Sequence, residues 1–259
     1  MSWLYLAEAS AEATIMKDFN TKNLGNISYM LRHLLTFNIT DPLSNASREY
    51  TDDFTQYFSG TGEADQVMYL ERRPTTSGRF RCWLSGVEKV AGTDFTLSRN
   101  NGTITWDKGT DPADSDDNIK IEYQAYKQWI FDDRPSFTSR NFPRISVIPE
   151  DSEYTAPGMG IYNNYTSGIG DRVVYPFTIE IRNRQNNEYY TYDSIHYKNM
   201  ELVDAIAEDI ILYLNSNKNP MPWKFFWWSI KNSSRNNEDE NFGIYRRDIS
   251  IEIEVFHQS

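Results

Sequence analysis

Two stretches of strict two-residue alternation constrain this chain more than any other feature. Near the end, Ile249, Ile251, Ile253 and Val255 alternate with Ser250, Glu252 and Glu254. Earlier, Val173, Tyr175, Phe177, Ile179 and Ile181 alternate with Val174, Pro176, Thr178, Glu180 and Arg182. Successive side chains of a strand point to opposite faces, whereas the apolar positions of a helix recur every three or four residues. Both segments are therefore expected to be strands with one buried face. Pro176 has no N–H to give to a ladder, so an edge or a bulge is expected there.

Between these strands, residues 199–214 have the helical period: Leu202, Val203, Ile206, Ile210, Tyr213 and Leu214 form one stripe, Asn199 is the candidate cap and Glu201 lies in the first turn. Asn219-Pro220-Met221-Pro222 is a stop signal. Arg144 to Ile148, closed by Pro149, reads as a further short strand. The C-terminal part is thus expected to be α+β, a mixed or antiparallel sheet with one main helix packed on it.

The front of the chain differs. Leu4, Leu6, Ala9, Ile15 and Met16, then Ile27, Met30, Leu31, Leu34 and Leu35, suggest N-terminal helices separated at Gly25-Asn26 and ended by Asp41-Pro42. From about Ala64 to Tyr126 short alternating strands take over, with Phe80, Cys82 and Leu84 and then Ile119, Ile121 and Tyr123 as inward sets. Asn101-Gly102 between Leu97 and Ile104 is a hairpin signal, because a tight turn there needs positive φ. The expectation is a small all-β, sandwich-like module (61–126) inserted into an α+β domain formed by 1–60 and 127–259.

Composition narrows the function. The net charge of −11 argues against a grip on nucleic acid, which depends on clustered Lys and Arg, and suits a surface past which DNA slides. One Cys and three His exclude a disulfide within the chain and nearly exclude a structural Cys/His zinc site. No basic, apolar leader is visible in the first twenty residues, and no apolar run approaches the ~18 residues of a membrane span. The 17 Tyr and 7 Trp are a rich aromatic supply of the kind buried between subunits.

The search for chemistry is mostly negative. Gly158-Met159-Gly160 imitates a dinucleotide fingerprint but lacks its third glycine and a following helix. Asp114, Asp116 and Asn118 alternate like calcium ligands, yet Ile119 and Ala125 stand where a helix-loop-helix calcium loop has Gly and Glu. A solvated turn is the reading, with a loose calcium site as the weaker alternative. His196 reads as a surface residue and Cys82 as a small core residue. No catalytic motif and no cofactor site is found, so the chain reads as a non-enzyme. The run Trp223-Lys224-Phe225-Phe226-Trp227-Trp228 stands apart: as a strand it places aromatics on both faces, and one face would be an exposed apolar patch unless a neighbouring subunit covers it.

The order Pro143-Arg144-Ile145-Ser146-Val147, a glycine loop ending in Gly168-Ile169-Gly170, Tyr175 to Ile181, a helix ending near Leu214 and a closing Tyr245 to Ile251 resembles the tail terminator (tail completion) proteins of long-tailed viruses of bacteria and archaea. The stretch from Val87 through Tyr123 is similar to small β-sandwich modules that decorate virion proteins. The resemblance implies a homo-oligomeric ring of six in the virion neck, capping the tail tube, touching the tube protein and the head-tail connector, and letting DNA through its lumen without binding it. It also implies contacts from the loop 151–171, with Gly158, Gly160, Tyr162 and Tyr165, and pairing of Arg144, Arg246 and Arg247 with carboxylates of a neighbour. The alternatives are another neck protein, or a virion adhesin whose β module binds a receptor.

Overall fold

A computed structural model describes residues 24–43, 53–62, 65–107, 109, 112–132, 142–150, 153–155, 170–185, 189–217, 226–236 and 243–258. The described chain is mostly sheet with two helices, α+β in the broad sense. Its elements are α1 (Leu24–Asn38), β1 (Asp53–Gly60), β2 (Val67–Tyr69), β3 (Phe80–Leu84), β4 (Val87–Lys89), β5 (Phe95–Ser98), β6 (Thr103–Trp106) and β7 (Ser115–Gln124). They continue with β8 (Ile130–Phe131), β9 (Arg144–Pro149), β10 (Glu153–Thr155), β11 (Gly170–Arg184), β12 (Tyr190–Tyr192), β13 (Ile195–Tyr197), α2 (Met200–Ser216), β14 (Phe226–Asn236) and β15 (Ile244–Gln258). They fall into two compact units, one holding β1–β7 and the other holding the Leu24–Leu35 part of α1, β8–β15 and α2.

The first unit has a four-stranded sheet, β1-β7-β3-β4, and a three-stranded one, β2-β6-β5, both antiparallel. Met68, Leu70, Cys82, Phe95, Ile104, Trp106, Ile119, Ile121 and Tyr123 come from both sheets and share one buried cluster. Aromatic rings run through it. Phe54 meets Tyr123 edge-on at 5.6 Å, Tyr123 stacks on Phe80 at 5.9 Å, and Phe80 and Trp106 both approach Phe95, at 6.1 and 5.8 Å. Such pairs add to the free energy of burying their area.

The Asn-Gly hairpin is present with a longer connection than a two-residue turn. Ser98 pairs with Thr103, so four residues join β5 to β6, and within that connection only Gly102 has positive φ. Strand β1 carries a less legible pattern. Its inward positions are Phe54, Gln56 and Phe58, and the Gln56 amide accepts from Glu71 N at 3.0 Å and donates to Tyr69 O. Gly60 ends it where Asn118 Oδ1 accepts from its N–H at 2.8 Å, and a Cβ there would stand 2.1 Å from Ala113 O.

The second unit is built on the sheet β14-β15-β11-β9-β8, with β10 also paired to β11. Every pairing is antiparallel except β8 with β9, so the sheet is mixed. Helix α2 packs on β15, β11 and β14 through Leu202, Val203, Ile206, Ala207, Ile210 and Leu214. The opposing face is Ile145 and Val147 of β9, Phe177, Ile179 and Ile181 of β11, and Ile249, Ile251 and Ile253 of β15, all buried. Trp228 joins this layer, and its indole N–H donates to Leu214 O at 2.7 Å.

Three sequence expectations are refined. Pro176 lies in the middle of a central strand and not at an edge, but at a one-residue shift of the partner register: Phe177 opposes Pro149 of β9, whereas Val174 opposes Glu153 of β10. It pairs with Glu252 on one side, and on the other it falls where β9 gives way to β10, with its carbonyl accepting from Glu150 N. The missing N–H thus faces a break in the ladder. Asn199 does occupy the cap position of α2, but its side chain makes no capping hydrogen bond. It has φ 53°, and its carbonyl is held by Asn183 Nδ2. Gly25 and Asn26 lie within α1, which begins at Leu24. Asp41 follows the end of that helix, its carboxylate accepting from Leu43 N. The helix expected over Leu4–Met16 and the stop at 219–222 lie outside the described residues.

Cys82 is buried on β3, and burial pushes its thiol up to about 12. Thiolate is the reactive form. A thiol reagent at pH 8 should leave Cys82 unmodified in the folded protein and label it fully in denaturant. Rapid labelling without denaturant would contradict this burial.

Candidate functional site

The face of the sheet turned away from α2 is where chemistry-bearing side chains gather. Alternation puts Glu180 and Arg182 on it, and register brings Arg144 and Ser146 of β9 and Arg246 and Asp248 of β15 to the same rows. Arg144, Arg182 and Arg246 are directly opposed in one row, and Ser146, Glu180 and Asp248 in the next. Like charges opposed in a sheet repel. The next row answers them with two carboxylates.

Glu180 is fully buried at 0% exposure and serves two arginines. Arg182 Nη2 donates to Oε2 at 3.2 Å, while its Nε lies 2.7 Å from Oε1 at an angle that makes an ion contact and not an aligned hydrogen bond. Arg246 Nη2 is 3.1 Å from Oε2, and Arg246 Nε donates to Asp248 Oδ1 at 2.8 Å. Arg144 is 1% exposed, and its Nε and Nη1 have no hydrogen-bond partner. Its guanidinium lies over the Phe142 ring at 4.9 Å. Burial, and then Arg182 beside it, hold its pKa below the ordinary guanidinium value, with Glu180 acting the other way. The hydroxyl of Ser146, on the same strand and face, is also buried without a partner.

The α2 side has its own ion pairs. Arg247 Nη1 is 3.0 Å from Asp204 Oδ1 and its Nε donates to Ser233 Oγ, while Arg235 Nη2 reaches Asp204 Oδ2 at 2.5 Å. Tyr192 O–H donates to Asp209 Oδ2 at 2.5 Å, tying the β12–β13 hairpin to α2. Burial and this acceptor raise the Tyr192 pKa.

The residues singled out in the sequence are therefore distributed as follows. Arg246 and Arg247 are committed to carboxylates of their own chain, and Arg144 is buried. Trp228 is buried against α2; Phe226 and Trp227 occupy strand positions paired with Val255 and Glu254. Trp223, Phe225, Gly158, Gly160, Tyr162 and Tyr165 lie outside the described residues. Of the calcium candidates, Asn118 uses its side chain within the fold, accepting from Gly60 N and donating to Ala113 O, and Asp114 is exposed. Among the described residues no group of three His, Cys, Asp or Glu is placed to hold a metal ion, and no helix is long and apolar enough to cross a membrane. His196 is exposed, its Nδ1 3.1 Å from Thr191 Oγ1.

Sequence reasoning missed the buried character of Glu180 and Arg182. The available signal was the Glu-x-Arg pair two apart in a central strand, which neutralises itself on one face. No protein-family model and no curated protein matches this sequence.

Removing one member of a buried charge cluster leaves its partners uncompensated. Glu180→Gln should therefore lower unfolding stability by about 3 kcal/mol or more in urea titration. Asp204→Asn, whose partner Arg235 is largely exposed, should cost about 1 kcal/mol. Equal effects of the two would contradict the central place of Glu180.

Proposed function

We propose that this chain is a structural virion protein, a tail terminator whose copies close into a ring that caps the tail tube and joins it to the head-side connector. The β1–β7 unit is then an inserted sandwich-like module. Six copies are the stoichiometry, and DNA passes through the lumen without specific binding.

The observation that carries this reading is the place of the aromatic strand. β14 stands at one end of the sheet order, with β15 as its neighbour, and it opens in the run that ends at Trp228. α2 takes Trp228 on one face. A long end strand is a template for pairing with another chain, and large aromatics are favoured where subunits meet. Head-to-tail contacts of this kind generate a ring when the rotation closes. The negative charge supports the role in DNA passage, because acidic groups around a lumen repel phosphates.

A second reading, the β unit as a receptor-binding module, has one observation in its favour. Val87 and Val90, at 62% and 59% exposure, stand on and just past β4, at the end of its sheet. Such a protein would bind a ligand without forming rings.

Light scattering and negative-stain imaging of the purified chain should give a closed ring with a central hole. Trp227→Asp should reduce the mass to that of a monomer with unchanged far-ultraviolet circular dichroism. A Trp227→Asp variant that keeps the wild-type mass, or a wild-type monomer that binds no tube protein, contradicts the proposal.

A further inference from the structure

Among the described residues, two adjacent rows on the polar face of the second unit's sheet hold more arginines than carboxylates. Three arginines, Arg144, Arg182 and Arg246, stand in one row, and two carboxylates, Glu180 and Asp248, in the next. The carboxylates are occupied: Glu180 contacts Arg182 and Arg246, and Asp248 contacts Arg246. Arg144 is left over, with Nε and Nη1 buried and without acceptors. A guanidinium stays protonated in proteins, so the site cannot relieve itself by losing a proton. A buried charge without a counterion is strongly unfavourable.

A second donor stands beside it. Ser146 is two residues along the same strand and on the same face, is 1% exposed, and its hydroxyl makes no hydrogen bond. Arg182, directly across from Arg144, adds a second positive charge to the same place. A guanidinium with open N–H groups, a hydroxyl and a neighbouring cation form a donor set suited to an oxyanion, which accepts from all of them and balances the charge.

We propose that Arg144 and Ser146 form a binding site for one small oxyanion, of the carboxylate or phosphate class, with Arg182 supplying the second positive charge. The site lies inside the second unit and does not depend on the ring. The burial of Arg144 selects a small free anion over a side chain from another molecule. When occupied, the site supplies acceptors to Arg144 Nε and Nη1 and fixes β9 to β11 on that face.

The test is titration of the full chain, in low-salt buffer, with sodium phosphate and separately with sodium acetate, read by calorimetry and thermal unfolding. Saturable binding of one anion per chain, with a melting temperature that rises with anion concentration, is expected for at least one of the two. Arg144→Met should abolish both effects, and in anion-free buffer it should be at least as stable as wild type, because an apolar side chain replaces a buried guanidinium with open N–H groups. Ser146→Ala keeps the charge and should weaken affinity roughly tenfold, the loss of one hydrogen bond to a charged group; it carries the test if Arg144→Met does not fold. No saturable binding of either anion, or wild-type affinity in both variants, overturns the site. Inert anions together with loss of oligomer mass in Arg144→Met also overturn it, by giving Arg144 to a neighbour's carboxylate.

Discussion

Strand β11 is the element on which the second unit depends. It pairs with β15 along its whole length and with β9 and β10 in succession on the other side, so it contributes to three ladders. Its two faces carry different physics. Phe177, Ile179 and Ile181 close onto the apolar layer under α2, while Glu180 and Arg182 bury charge on the reverse. The change of partner from β9 to β10 also accommodates Pro176, whose missing N–H would otherwise leave a gap in a continuous ladder.

This arrangement pins the register. A slip of one residue would exchange the two faces, sending Glu180 and Arg182 under α2 and Ile179 among the arginines. Buried ion pairs add little net stability, because desolvation offsets attraction, but a misplaced one is severely penalised. The charged rows therefore act mainly by excluding alternative pairings. On the α2 side Asp204 works similarly, holding Arg235 of β14 and Arg247 of β15 against the helix.

Much of this was legible in the sequence where one face is apolar and the other polar. Ile249, Ile251 and Ile253 announce β15, and Leu202 through Leu214 announce α2 and its buried stripe. Legibility fails where a polar group does inward work. Gln56 sits between Phe54 and Phe58 and bonds backbone at Tyr69 and Glu71, so β1 does not look like an alternating strand. Glu180 and Arg182 look like solvent-facing residues for the opposite reason: they neutralise each other two residues apart, and Glu180 also takes Arg246 from the sequence-distant strand β15, which period alone does not reveal. Of the interface candidates, the aromatic strand acquires a definite place at the end of the sheet, whereas the arginines turn inward or to their own chain.

The two proposals use different parts of one scaffold: the end strand for assembly, and the interior polar face for an anion. Both require β11 to be the most firmly held strand of its sheet. Amide hydrogen exchange of the native chain tests this most directly. The account predicts that the amides of Phe177 to Arg182 exchange only through global unfolding, at the slowest rates in the unit, and that those of β14 exchange faster through local opening. Exchange of Phe177 to Arg182 as fast as that of β14 would contradict it.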